Sequence, residues 1–159
     1  MARGAVSLAL VLCAACAPAQ SGEPRVRGAD ELRATSPVLR SGSAVYTLEV
    51  EAWRSVQPIV GSAGDPLIAI LRLSADGEDG VPGALGIEQV YLVHGAEVVQ
   101  AEAREEEPRA SRARTVEFVL RDGPRWPVGD AIDVVVTLSG LRAGTSLLRA
   151  PRVAIARVD

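Results

Sequence analysis

The chain contains no lysine and no asparagine, a single histidine, and two cysteines that both fall within its first sixteen residues. Only 3% of its residues are aromatic. Each shortage excludes something. With no cysteine beyond Cys16, the body can hold neither a disulfide framework nor a cysteine-based zinc finger. His94 alone cannot build a histidine metal cluster. The 17 basic residues face 20 acidic ones, so the net charge is −3. That balance lacks the concentrated basic face that nucleic acid requires, and no nucleic-acid partner is expected. The all-arginine basic set, beside abundant Ala, Gly, Val and Pro, is read as coding bias rather than chemistry. The 159 residues suit one domain.

What is present begins with an apolar N-terminus. Arg3 precedes an apolar run over residues 5–15, as long as the core of a signal peptide and too short to span a bilayer. Leu12, Cys13, Ala14 and Ala15 then lead into Cys16. This resembles the lipobox of bacterial lipoproteins, with Cys16 as the lipidated residue. The resemblance covers about the first sixteen residues and implies a signal peptide over residues 1–15. It further implies a lipid bilayer as partner through acylated Cys16, and a cell-envelope location outside the cytoplasm. With Ala17 next, it implies the outer membrane in a Gram-negative cell. Ordinary secretion, with cleavage after Ala19, is the alternative, and retention as an apolar anchor is a third. Residues 17–43 are rich in Pro and Gly with little apolar periodicity. They are expected to form a flexible tether, with at most a helical turn over residues 30–34. Residues 44–159 are expected to form the folded domain.

Period-two alternation dominates that body. Tyr46, Leu48, Val50 and Ala52 share one strand face, with Glu49 and Glu51 on the other. Residues 67–73 are apolar on both faces and are expected to be a central strand buried on both sides. Residues 87–94 and 97–103 read as a hairpin around Gly95. Val116, Phe118 and Leu120 point one way in the next strand, as do Ile132, Val134, Val136 and Leu138 in the one after. Residues 146–158 form a last strand broken at Pro151, a position compatible with an edge or a bulge. About seven or eight short strands punctuated by Gly and Pro point to an all-β fold. The expected architecture is an antiparallel immunoglobulin-like β-sandwich, with a small β-barrel as the alternative.

Several groups could carry chemistry. Asp76, Glu78 and Asp79 cluster in a Gly-rich loop and could offer oxygen ligands to a divalent cation. Their spacing does not match an EF-hand, and a solvated turn is the preferred reading. Glu102, Glu105, Glu106 and Glu107 precede Arg109, Arg112 and Arg114 on a loop able to meet a charged partner. Trp126, beside Arg125, lies in a turn. It could stack on a sugar or anchor a partner, although packing over an open end of the core is preferred for both Trp126 and Trp53. His94 lacks a recognisable nucleophile partner, and no nucleophile elbow or phosphate loop is present. No cofactor is expected.

These features predict a non-catalytic, membrane-tethered domain that binds another envelope protein or assists an envelope assembly. The expected surface comprises Trp126, Arg125, Glu105, Glu106, Glu107 and Arg109. A small-ligand module for carbohydrate or a divalent cation is the alternative, and a hydrolase is the least favoured.

Overall fold

Alternating apolar and polar residues can bury one face only by forming strands that close on a common core. The computed structural model describes residues 27–56, 64–141 and 144–158. Its elements are α1 (Ala29–Arg33), β1 (Val38–Ser41), β2 (Ala44–Ser55), β3 (Leu67–Asp76), β4 (Gly86–His94), β5 (Glu97–Ala101), β6 (Ala103–Arg104), β7 (Thr115–Gly123), β8 (Ala131–Leu141) and β9 (Gly144–Val158). The described residues are all-β apart from the single turn of α1. The expected lipidation site Cys16 and the breaker region around Pro58 lie outside the described residues.

The strands follow one hydrogen-bonded path, β5-β4-β8-β9-β2-β3-β7-β6, with β1 paired to β2 off that path. Two elements carry the path around corners. β9 runs antiparallel to β8 and, at its far end, parallel to β2, with Ala52 opposite Ile155. Within the β8 pairing, just before the stretch that meets β2, Pro151 and Arg152 stand against Asp133 alone, a two-against-one bulge with Arg152 at φ 53°. Proline has no N–H to give the ladder, so the break falls there. β5 and β6, separated only by Glu102, make the second corner: β5 pairs with β4 and β6 with β7. The sheet is therefore continuous and nearly closed. This fits the barrel among the two expected architectures, and the expected sandwich is not confirmed.

One core fills the interior. Leu71 and Leu73 of β3, Leu92 of β4, Leu120 of β7, Val134 and Leu138 of β8, Leu148 and Ile155 of β9 are all essentially inaccessible. Each such Leu or Ile contributes about 1.5–3 kcal/mol of burial free energy. The inward sets read from alternation in β2, β7 and β8 all point into this core. β3 departs from expectation. It is central, between β2 and β7, but only its odd-numbered residues are fully buried. Ile68 and Ile70 lie on its outer face, half-buried, because no second layer covers that side among the described residues.

The expected tether is corrected over residues 29–41. A five-residue helix cannot persist on its own. α1 is held because Leu32 is fully buried against Tyr91, Val93 and Val135 on the outer face of β4 and β8. Arg33 bonds the Asp133 carboxylate at 3.2 Å and donates to the Gly95 carbonyl. The chain then passes β9, where the Arg149 N–H donates to Ser36 O at 3.2 Å. It next enters β1, whose Val38 to Ser41 pair with Thr47 to Ala44 of β2. The folded domain thus includes α1 and β1 ahead of Ala44.

Candidate functional site

After β6 the chain leaves the sheet and returns at β7, and the intervening loop is pinned by one arginine. Arg109 Nε donates to Glu105 Oε1 at 2.9 Å, and its Nη2 donates to Oε2. Its Nη1 reaches the carbonyls of Pro82 and Leu85, both at 2.9 Å. The guanidinium also sits 6.0 Å above the Phe118 ring. Arg109 holds the Glu105 carboxyl below the ordinary glutamate range, and Glu105 holds Arg109 further protonated. Both side chains are largely covered, at 15% and 24% exposure. They brace the loop and are not offered to a partner.

That brace leaves a groove of about 550 Å³ between the loop and the outer face of β3 and β7. Ile70, Val119, Pro108, Ala110 and Ala113 supply apolar walls, and Glu106, Glu107 and Glu117 supply carboxylates. Glu106 accepts from Arg121 at 2.7 and 2.9 Å. A smaller hollow of about 310 Å³ adjoins it, sharing Glu106 and Val119 and bordered by Glu102, Arg104 and Arg121. Beside the groove, Arg72 bridges Glu51 and Glu117 across three strands, at 2.6 Å to each. This lowers the Glu51 carboxyl pKa and raises that of Arg72. Of the residues expected to form a partner surface, Glu106 and Glu107 line this groove from the solvent side, whereas Arg109 and Glu105 form its brace.

Trp126 takes the packing role preferred for it and not the partner-surface role also considered. It is 7% exposed and belongs to the core, so its indole presents no face to a sugar or partner. Its Nε1–H donates to Glu97 Oε2 at 3.0 Å, and its ring lies 5.0 Å from that of His94. A buried indole needs such an acceptor for its single donor. Arg125 is turned back on the domain, donating to the Gly64 carbonyl at 3.0 Å. Behind Trp126, Arg54 is buried at 4% exposure and donates to the carbonyls of Asp65 and Trp126 at 2.9 and 2.7 Å. Trp53 does the opposite of what was expected. It does not cap the core but points outward from β2, between inward Ala52 and Arg54.

His94 Nε2 lies 2.9 Å from Asp130 Oδ2. Among the described residues no serine or cysteine is bonded to it, and Ser74 bonds Thr115 instead, at 2.9 Å. Asp76 closes β3 opposite Val45, with Glu78 and Asp79 exposed in the following turn. Among the described residues no group of carboxylates, His or Cys converges as a metal site. The turn is fixed by backbone contact. Val81 N–H bonds Ala113 O at 2.7 Å, and a Cβ on Gly80, at φ +66°, would lie 2.6 Å from that oxygen. Gly80 therefore serves close packing against the braced loop.

Sequence reasoning missed Ile70, Val119, Arg72 and Glu117. For Ile70 the signal is the second apolar face of residues 67–73, which reads equally as burial, and Val119, Arg72 and Glu117 lie outside that signal. No protein-family model, no curated protein and no solved structure matches this chain.

Proposed function

We propose that the chain is a lipid-anchored, extracytoplasmic binding domain without catalytic activity, built as a small, nearly closed barrel. Its partner is another protein of the cell envelope, engaged at the groove between residues 105–113 and the outer face of β7. The observation that carries this reading is the groove itself, preformed and partly apolar-walled, with its loop wall held by Arg109 to Glu105, Pro82 and Leu85. A preformed concave surface spares the ordering cost that weakens binding by flexible loops. The anchor rests on the lipobox-like run ending at Cys16. Acylation there holds the domain at the bilayer. In a Gram-negative cell the outer membrane is its place.

Two experiments test this. A photo-crosslinking amino acid at Glu107 in intact cells should yield a discrete protein adduct that is lost in a variant carrying Pro108→Arg. No adduct at Glu107, Pro108 or Val119 would remove the binding reading. Cys16→Ser should abolish lipid labelling and release the chain from the membrane fraction. Full labelling of that variant would remove the anchor.

A further inference from the structure

We infer that the outer face of β9, β2, β3 and β7 docks an amphipathic helix of a partner protein, flanked by arginine or lysine. This rests on the reading of the domain as a binding module and names the chemistry of its partner. The surface is a stripe of outward apolar side chains in direct register. Trp53 of β2 stands beside Ala156 of β9 on one side and Ile68 of β3 on the other. Ile70, two residues along β3, stands beside Val119 of β7. Val158, on the same face as Ala156, is 46% exposed. A hollow of about 350 Å³ opens at the Trp53 and Val158 end. The groove of about 550 Å³ opens at the Ile70 and Val119 end. Three strand intervals at about 4.8 Å make the stripe about 14 Å long.

The strands beneath this stripe already pair with one another. A segment lying across this face meets side chains rather than strand edges, so strand addition is not available there. A segment lying across it must bring its own satisfied backbone, which a helix does. Two helical turns span about 11 Å and fit within the stripe. The chain uses the same solution on its other half, where Leu32 of α1 covers Tyr91, Val93 and Val135. α1 is the only helix among the described residues, and it packs on β4, β8 and β9. The charge at the border selects the flank. Glu51, Glu106, Glu107 and Glu117 stand around the stripe, with Arg72 and Arg121 between them. Two carboxylates remain in excess, which attracts a basic flank and repels an acidic one.

The test uses the purified full chain and three synthetic peptides. One is a helix with a leucine stripe and lysine flanks, one has glutamate in place of lysine, and one has serine in place of leucine. Calorimetry should show the leucine-lysine helix binding at least tenfold more tightly than either control. Ile70→Arg should weaken it at least tenfold with an unchanged melting temperature, whereas Gln100→Arg, exposed on the opposite half, should leave binding as it was. Equal binding of the three peptides, or equal effects of the two variants, would overturn the proposal. So would sedimentation showing a dimer that Ile70→Arg dissociates, because the occupant would then be a second copy. Crosslinking at Glu107 separates the two levels. An adduct together with failure of the lysine helix overturns only the helical partner, and absence of both overturns the binding reading as well.

Discussion

Arg109 and Glu105, four residues apart on a loop without regular structure, form a two-point guanidinium–carboxylate contact. The same guanidinium ties that loop to the carbonyls of Pro82 and Leu85. One side chain thus fixes two neighbouring loops against β7. Replacing it by Met keeps the aliphatic bulk near Phe118 and removes every one of these donors. Partly covered charged hydrogen bonds are worth about 1.5–3 kcal/mol each in the best cases, but truncation overlaps them. Arg109→Met is expected to lower unfolding free energy by about 2–3 kcal/mol. Urea denaturation measures this. The groove should also open, so the crosslinking yield at Glu107 should fall even at temperatures where the variant is fully folded.

The same contact predicts a pH dependence. Arg109 depresses the folded-state pKa of Glu105 below its ordinary value of 4.5. A depressed carboxyl stabilises the fold above the unfolded value, and that contribution disappears as pH falls through the folded value. The stability difference between the native chain and Arg109→Met should therefore be flat from about pH 7 to pH 5 and shrink below about pH 4.5. Glu51 shifts in the same direction through Arg72, but both chains carry that pair, so it cancels in the difference. Urea midpoints measured across this range check the prediction. A gap that persists undiminished at the acid end would contradict it.

Leu32 gives the sharpest test of where the domain begins. Its side chain is fully buried, although α1 has only five residues. Leu32→Ala removes the plug over Tyr91, Val93 and Val135 and is expected to cost about 2–4 kcal/mol. The same substitution in a flexible tether would cost nothing. Arg33→Ala should add a smaller loss by freeing Asp133, which then keeps only Arg149 at 3.4 Å. Thermal melts of the single variants distinguish a folded N-terminal segment from a leash.

The strands were legible because burial on one face imposes period two. Val116, Phe118 and Leu120 could alternate for no other reason, and Pro151 announced the bulge that turns β9. Closure was not legible. It depends on Glu102, a single residue between two short strands that pair on different sides, and nothing in its type marks a corner. The helical turn near residues 30–34 was legible, but its docking on the sheet was not, because one buried Leu among polar residues has no period. The groove was half legible. A run of glutamates before arginines marked the loop, but which charges face solvent depends on Pro82 and Leu85, more than twenty residues away. The outer stripe was misread because Ile68 and Ile70 carry the same apolar signature whether a layer covers them or not.

The two tryptophans separate these cases by spectroscopy. Trp126 is in the core with its indole N–H bound to Glu97, and Trp53 lies half-buried on the outer sheet face. Trp53→Phe leaves Trp126 as the sole indole and should give blue-shifted emission that acrylamide quenches poorly. Trp126→Phe leaves Trp53 and should give red-shifted emission that is readily quenched. The stabilities should diverge as well. Trp126→Phe empties part of the core and leaves Glu97 without its indole donor, so a loss of about 1–3 kcal/mol is expected. Trp53→Phe should stay within about 0.5 kcal/mol, as substitutions at surface positions usually do. If Trp53 proved the more destabilising of the two, the outer face of β2 would have to be covered rather than open, and the docking stripe would be lost with it.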